Sequence, residues 1–223
     1  MSIVPVRISH RSNENFELKA YALLDENSQG VFVHECILKK LPAVSRRQTC
    51  ITTETINGQF TDSSFAVDGL IVKPLEEFAA IYGSEKIELP TSYSREMLSF
   101  NAEEVPTADK ISSWKHLQPL AGKLPAFDSS LPLGLIIGAN FPKALEPQEI
   151  IVSVDNGPYA SRSSLGWRVI GPMNESSNEN LSTLSCFRIG VKIPLTNLAT
   201  NAAANDHLTS VSYTHLTLPT RKL

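Results

Sequence analysis

Asp25 closes an apolar run, Leu23-Leu24, and opens a polar loop, Asp25-Glu26-Asn27-Ser28-Gln29, from which a second apolar run, Val31-Phe32-Val33, departs. A strand that delivers a carboxylate into such a loop holds it at a strand end, with polar neighbours as hydrogen-bond partners. That is a setting in which an aspartate can act as acid or base. The same pattern also describes an ordinary turn, because Asp bonds its own backbone two residues on. A second segment, Leu135-Ile136-Ile137-Gly138-Ala139-Asn140-Phe141, ends an apolar run at a glycine. Gly138 permits a close backbone approach that a side chain would block, and a plain strand-to-helix turn accounts for it equally well.

Other reactive residue types have simpler readings. His34, Cys36 and Cys50 match no compact zinc spacing; a buried thiol and a surface histidine explain them, and no metal is expected. There is no glycine-rich phosphate loop, and no cofactor is expected. Arg46-Arg47 is too small a basic cluster to grip nucleic acid. Glu103-Glu104 reads as a solvated loop, and Trp114 and Trp167 as core anchors.

The elements that must position these residues are mostly strands. Residues 3–9 alternate apolar and polar, residues 10–15 form a polar turn, and residues 16–24 run into an apolar strand end. Residues 34–42 predict one short helix, stopped before Pro42. Residues 50–56 are rich in Thr and Ile and predict a strand. Asn57-Gly58 then predicts a hairpin turn, since both residues accept positive φ, with strands at 59–67 and from 69 to 72. Residues 90–113 read as a long connection with a turn of helix, and 114–120 as a short helix. Further strands are expected at 131–137, 149–154 and 165–170, and a polar linker at 174–180. Many short strands with turns between them predict a mostly-β domain, of a kind that a small barrel satisfies, with one or two short helices.

The 223 residues carry a net charge of −3, which argues against a general nucleic-acid-binding module. Three cysteines do not make a disulfide framework, so an intracellular, cytoplasmic setting is expected. The N-terminal residues show no signal-peptide pattern, and no window reaches the roughly 18 apolar residues of a membrane helix. Residues 211–220, VSYTHLTLPT, match the translation of a common sequencing adapter. Residues 211–223 are therefore expected to be an artefact and residues 191–210 a linker.

Taken in order, LLDENSQGVFV (23–33), TINGQ (55–59), WKHL (114–117), LGLIIGANFPKALEPQEII (133–151), GPYASRSSLGWRVIGP (157–172) and SCFRI (185–189) resemble the aspartic peptidase domain of Pao/BEL retrotransposon polyproteins, a branch of the retropepsins. The resemblance implies a retropepsin-like single-lobe acid protease barrel over residues 3–150 and a family-typical extension over 151–190. It implies Asp25 as the catalytic residue, in an active-site loop with Glu26, Asn27 and Ser28. Ile56, Asn57 and Gly58 become the flap that closes on a peptide, although an ordinary exposed hairpin fits them as well. Ile137, Gly138 and Asn140 become structural residues near the site.

In that class each half of a homodimer supplies one aspartate. Two carboxylates sharing a site cannot both ionise easily, so they share a proton and hold a water. The implied substrate is a polypeptide, the element's own polyprotein, with no metal or cofactor and no nucleic acid or membrane partner for this domain. The family's loop reads Asp-Thr/Ser-Gly-Ala/Ser; here Glu26 stands in place of the hydroxyl and Asn27 in place of the glycine. Asn27 is expected to suit the glycine position because Asn tolerates positive φ. The alternative is a domain that dimerises or binds peptide without cleaving it.

Overall fold

The computed structural model describes residues 2–55, 58–82, 85–98, 100–172 and 190–192. The described chain is mostly β. Thirteen strands form a ten-stranded mixed sheet and a three-stranded antiparallel sheet. Four α-helices of four to six residues accompany them, more than the one or two expected, each about one turn long.

β1 (Ile3–His10) and β2 (Asn13–Asp25) form an antiparallel hairpin with Val6 opposite Ala20 and Ile3 opposite Leu23. β6 (Leu70–Pro74) lies on the other side of β1, and β7 (Ile87–Glu88) lies beyond it. The decisive piece of topology is β9 (Leu133–Gly138). It lies between β2 and β3 (Val31–His34), parallel to the first and antiparallel to the second. Leu135 and Ile137 join one apolar cluster and Leu133 and Ile136 others, so both faces are covered and all six residues are buried, which is why β9 reads as an unbroken apolar run rather than an alternating one.

The period-2 alternation of these strands builds two apolar layers. Val4, Val6, Ile8, Ala20, Ala22, Leu24, Val31, Val33, Leu135 and Ile137 pack on one side. Ile3, Tyr21 and Leu133, and next to them Phe32, Ile136, Ile51 and Tyr93, pack elsewhere. Leu133 shares the parity of Leu135 but not its cluster, because the β2–β9 register shifts between Tyr21 and Ala22. Gly134 sits at that irregularity, where an added Cβ would fall 2.6 Å from the Cβ of Ala20.

β3 runs straight into α1 (Glu35–Lys40). His34 is its N-cap, with Nδ1 accepting from the Cys36 N–H at 3.0 Å. That role accounts for the histidine. Cys36 is half-buried and Cys50 exposed. β8 (Ser92–Arg95) pairs in parallel with β3 and links it to β5 (Gly58–Val67). β5 and β4 (Arg47–Thr55) form the expected hairpin, and β13 (Gly190–Lys192) lies along the outer edge of β4.

The second sheet orders β10 (Glu149–Ile151), β11 (Tyr159–Ser163) and β12 (Gly166–Ile170). Ala160, Trp167 and Val169 cover Ile111, Leu117, Leu120 and Leu124, which come from α3 (Ala108–Ile111) and the 3-10 turns that follow it. This second core draws on both sides of residue 150, and position 150 lies inside β10. Among the described residues no helix is long and apolar enough to cross a membrane. Residues 191 and 192, expected to open a linker, instead belong to β13 and pair with Thr53 and Thr52; the rest of the expected linkers and the adapter segment lie outside the described residues.

Candidate active site

Asp25 and Gly138 are the last register partners of the parallel β2–β9 pair. Because β9 lies between β2 and β3, the loop that joins those two strands must pass over the end of β9. Gly138 lies directly beneath it: a Cβ there would sit 2.4 Å from the carbonyl oxygen of Gly30 and 2.5 Å from that of Ser28. The requirement for glycine is steric. The loop is tied down at the same spot, since the Ala139 N–H donates to the Ser28 carbonyl at 2.7 Å.

Within the loop, the Ser28 N–H donates to the Asp25 carbonyl at 3.2 Å and the Asn27 N–H donates to Asp25 Oδ1 at 3.0 Å. Asp25 thus forms the self-bonded turn that its sequence context allows, and its half-buried side chain makes no ion pair among the described residues. Ser28 is fully buried and its Oγ donates to the Gly30 carbonyl at 3.2 Å. Asn27 does not use the left-handed conformation expected of it. The positive-φ residues other than glycine among the described ones are Ala43, Asp155 and Asn156. The loop turns through side-chain and carbonyl hydrogen bonds instead.

Glu26 has two-thirds of its side chain exposed (67%), yet it is paired. Its Oε1 lies 3.2 Å from Nη1 of Arg168 on β12. Sequence reasoning singled out neither this contact nor the arginine. Ile137 is fully buried in the core beneath the loop, whereas Asn140 is exposed.

The structure pairs Thr55 with Gly58, so Gly58 belongs to the β4–β5 ladder rather than to the turn. Ile56 and Asn57 lie outside the described residues. Gly58 has φ +122°, and an added Cβ there meets nothing within 4 Å. The first half of β5 is exposed, while Ile51, midway along β4, anchors it in the core. Arg95, also missed from sequence, ties the hairpin to β8 at and beyond that level. It bonds Asp62 at 3.0 Å and the Thr53 hydroxyl, and lies 5.3 Å from the centre of the Phe32 ring. Phe32 belongs to the strand that leaves the Asp25 loop.

Among the described residues no group of three or more His, Cys, Asp or Glu side chains is placed to hold a metal ion. Family models, curated proteins and solved structures offer no match to the chain.

Proposed function

We propose that this chain is an aspartic endopeptidase of the retropepsin type, acting as a homodimer on a retroelement polyprotein. One observation carries the reading. Two sequence segments far apart in the chain meet as register partners, with the Asp25 loop laid across Gly138 and hydrogen-bonded to Ala139. A fixed carboxylate at a strand end, half open and without an ion-pair partner among the described residues, is a sound half of a catalytic dyad. One carboxylate cannot be both the base that activates water and the acid that polarises the peptide carbonyl. The reading therefore requires the Asp25 of a second copy, met across a two-fold axis. The β4–β5 hairpin, anchored at its base and exposed towards its tip, supports the role of a substrate flap.

A second reading keeps the fold and loses the chemistry. Glu26 occupies the place of a hydroxyl that would tie two loops together, and this favours a domain that dimerises or binds peptide without cutting.

The test is cleavage of polyprotein-derived peptides by the full chain across a pH series from about 4 to 7, with Asp25→Asn as control. Asparagine keeps an Oδ1 to accept the Asn27 N–H, so the variant should fold and melt like the wild type. Its turnover should fall by about 10³-fold or more. A folded dimer that cuts nothing leaves the non-cleaving reading in its place.

A further inference from the structure

Arg168 is buried to 4% side-chain exposure, and its guanidinium reaches two parts of the candidate site. Nη1 pairs with Glu26 at 3.2 Å, and Nη2 donates at 3.1 Å to the carbonyl of Leu145 in α4 (Pro142–Leu145), the helix after the Gly138 turn. Its Nε has no hydrogen-bond partner among the described residues. The alternation of β12 explains the placement. Trp167 and Val169 enter the second core, so Arg168 between them faces the other way. A guanidinium this buried requires a counter-charge. Among the described residues, Glu26 is the one anion ion-paired with it.

Glu26 is next to Asp25 in the chain. In a dimer whose loops meet on a two-fold axis, two Glu26 and two Asp25 carboxylates are brought together. Four carboxylates on one axis, three of them still charged once the Asp25 pair shares a proton, repel each other unless some are neutralised or held aside. The nearby elements offer little else to do this. β9 carries no charged residue, Lys143 of α4 is paired with Glu85 at 2.6 Å, and Glu146 beyond it adds an anion.

Resting on the peptidase reading, we infer that Arg168 is a positioning residue: it neutralises Glu26 and holds it to one side, so that two Asp25 loops can approach. β12 then contributes to the active site rather than merely following it in the chain.

A double-mutant cycle read by sedimentation and thermal melting of the full chain tests this. Arg168→Met leaves Glu26 uncompensated and should weaken the dimer about tenfold or more. Glu26→Gln removes the extra anion but strands the buried guanidinium, so it should keep the dimer and lower the melting temperature. The double variant should regain the wild-type dissociation constant to within about threefold. A purely structural arginine predicts no such rescue, and a double variant as weak as Arg168→Met overturns the inference. So does an Arg168→Met dimer of wild-type strength, or a wild-type chain that is monomeric at every concentration. If Arg168→Met does not fold, Glu26→Gln alone decides, and an unchanged melting temperature overturns the inference. A wild-type dimer that shows the full cycle but cuts no peptide defeats the peptidase reading and leaves the role of Arg168 intact.

Discussion

Gly138 and Asp25 hold one another in place. The carboxylate is presented at the loop's start only because the loop descends onto β9, and it can descend only because position 138 has no side chain. The two carbonyls that a Cβ would strike, those of Ser28 and Gly30, are backbone atoms and cannot rotate away. Gly138→Ala should therefore destabilise the fold by about 1–3 kcal/mol, the usual cost of overpacking, as read from urea unfolding. It should lower cleavage further than that loss of folded protein explains, because the loop it lifts carries Asp25. Gly122 is the control. An added Cβ there meets nothing within 4 Å, so Gly122→Ala should change neither quantity.

At the scale of elements, the hairpin is the part whose mobility matters most. Gly58 lies in the last pair of the β4–β5 ladder with φ +122°, a conformation that L side chains rarely adopt. Gly58→Ala finds open space but a strained backbone. It should speed amide exchange in the outer half of the hairpin while the strands below, anchored by Ile51, exchange as before; equal acceleration throughout the hairpin would show that it does not open from its tip. The hairpin was legible in the sequence because Thr-rich strands flank a turn signal, although that signal placed Gly58 in the turn and the structure places it in the ladder.

β8 shows how a strand can escape a sequence reading: its SYSR has three buried positions and only one of its residues is apolar. Ser94 satisfies the Phe65 N–H and Ser64 bonds the Ser94 carbonyl, both inside the sheet. Small hydroxyls satisfied by backbone leave no hydrophobic alternation to detect. The candidate site divides in the same way. Asp25 and Gly138 stand at the ends of apolar runs and are visible, whereas Arg168 is a lone arginine whose partner is distant in the chain, and only the fold reveals the pair.

For the whole molecule, the second core decides what counts as the domain. Ile111, Leu117 and Leu120 are fully buried, and Ala160, Trp167 and Val169 help to cover them. A chain stopped at residue 150 would expose that surface and lose Arg168. It should lose cooperative unfolding, whereas a chain stopped at residue 172 should retain it. Tyr82 reports on the same core without truncation. Its ring stacks on Phe78, packs beside Trp167, and its hydroxyl donates to the Lys123 carbonyl.

Burial pushes the Tyr82 pKa from the ordinary 10.0 up to about 12. The folded state thus favours the neutral phenol. Its contribution to stability is complete below about pH 10 and is lost as the pH rises towards 12. Burial also raises Tyr21 and Tyr93, so the full chain should show late tyrosine ionisation, followed by ultraviolet absorbance, that coincides with alkaline unfolding. Tyr82→Phe should remove one tyrosine from that late phase and reduce the decline of stability between pH 10 and 12. In the chain stopped at 150 the same phenol, deprived of Trp167, should titrate near its ordinary value. If it still ionised late there, the residues beyond 150 would not be what buries it, and the second core would not bind the two segments into one unit.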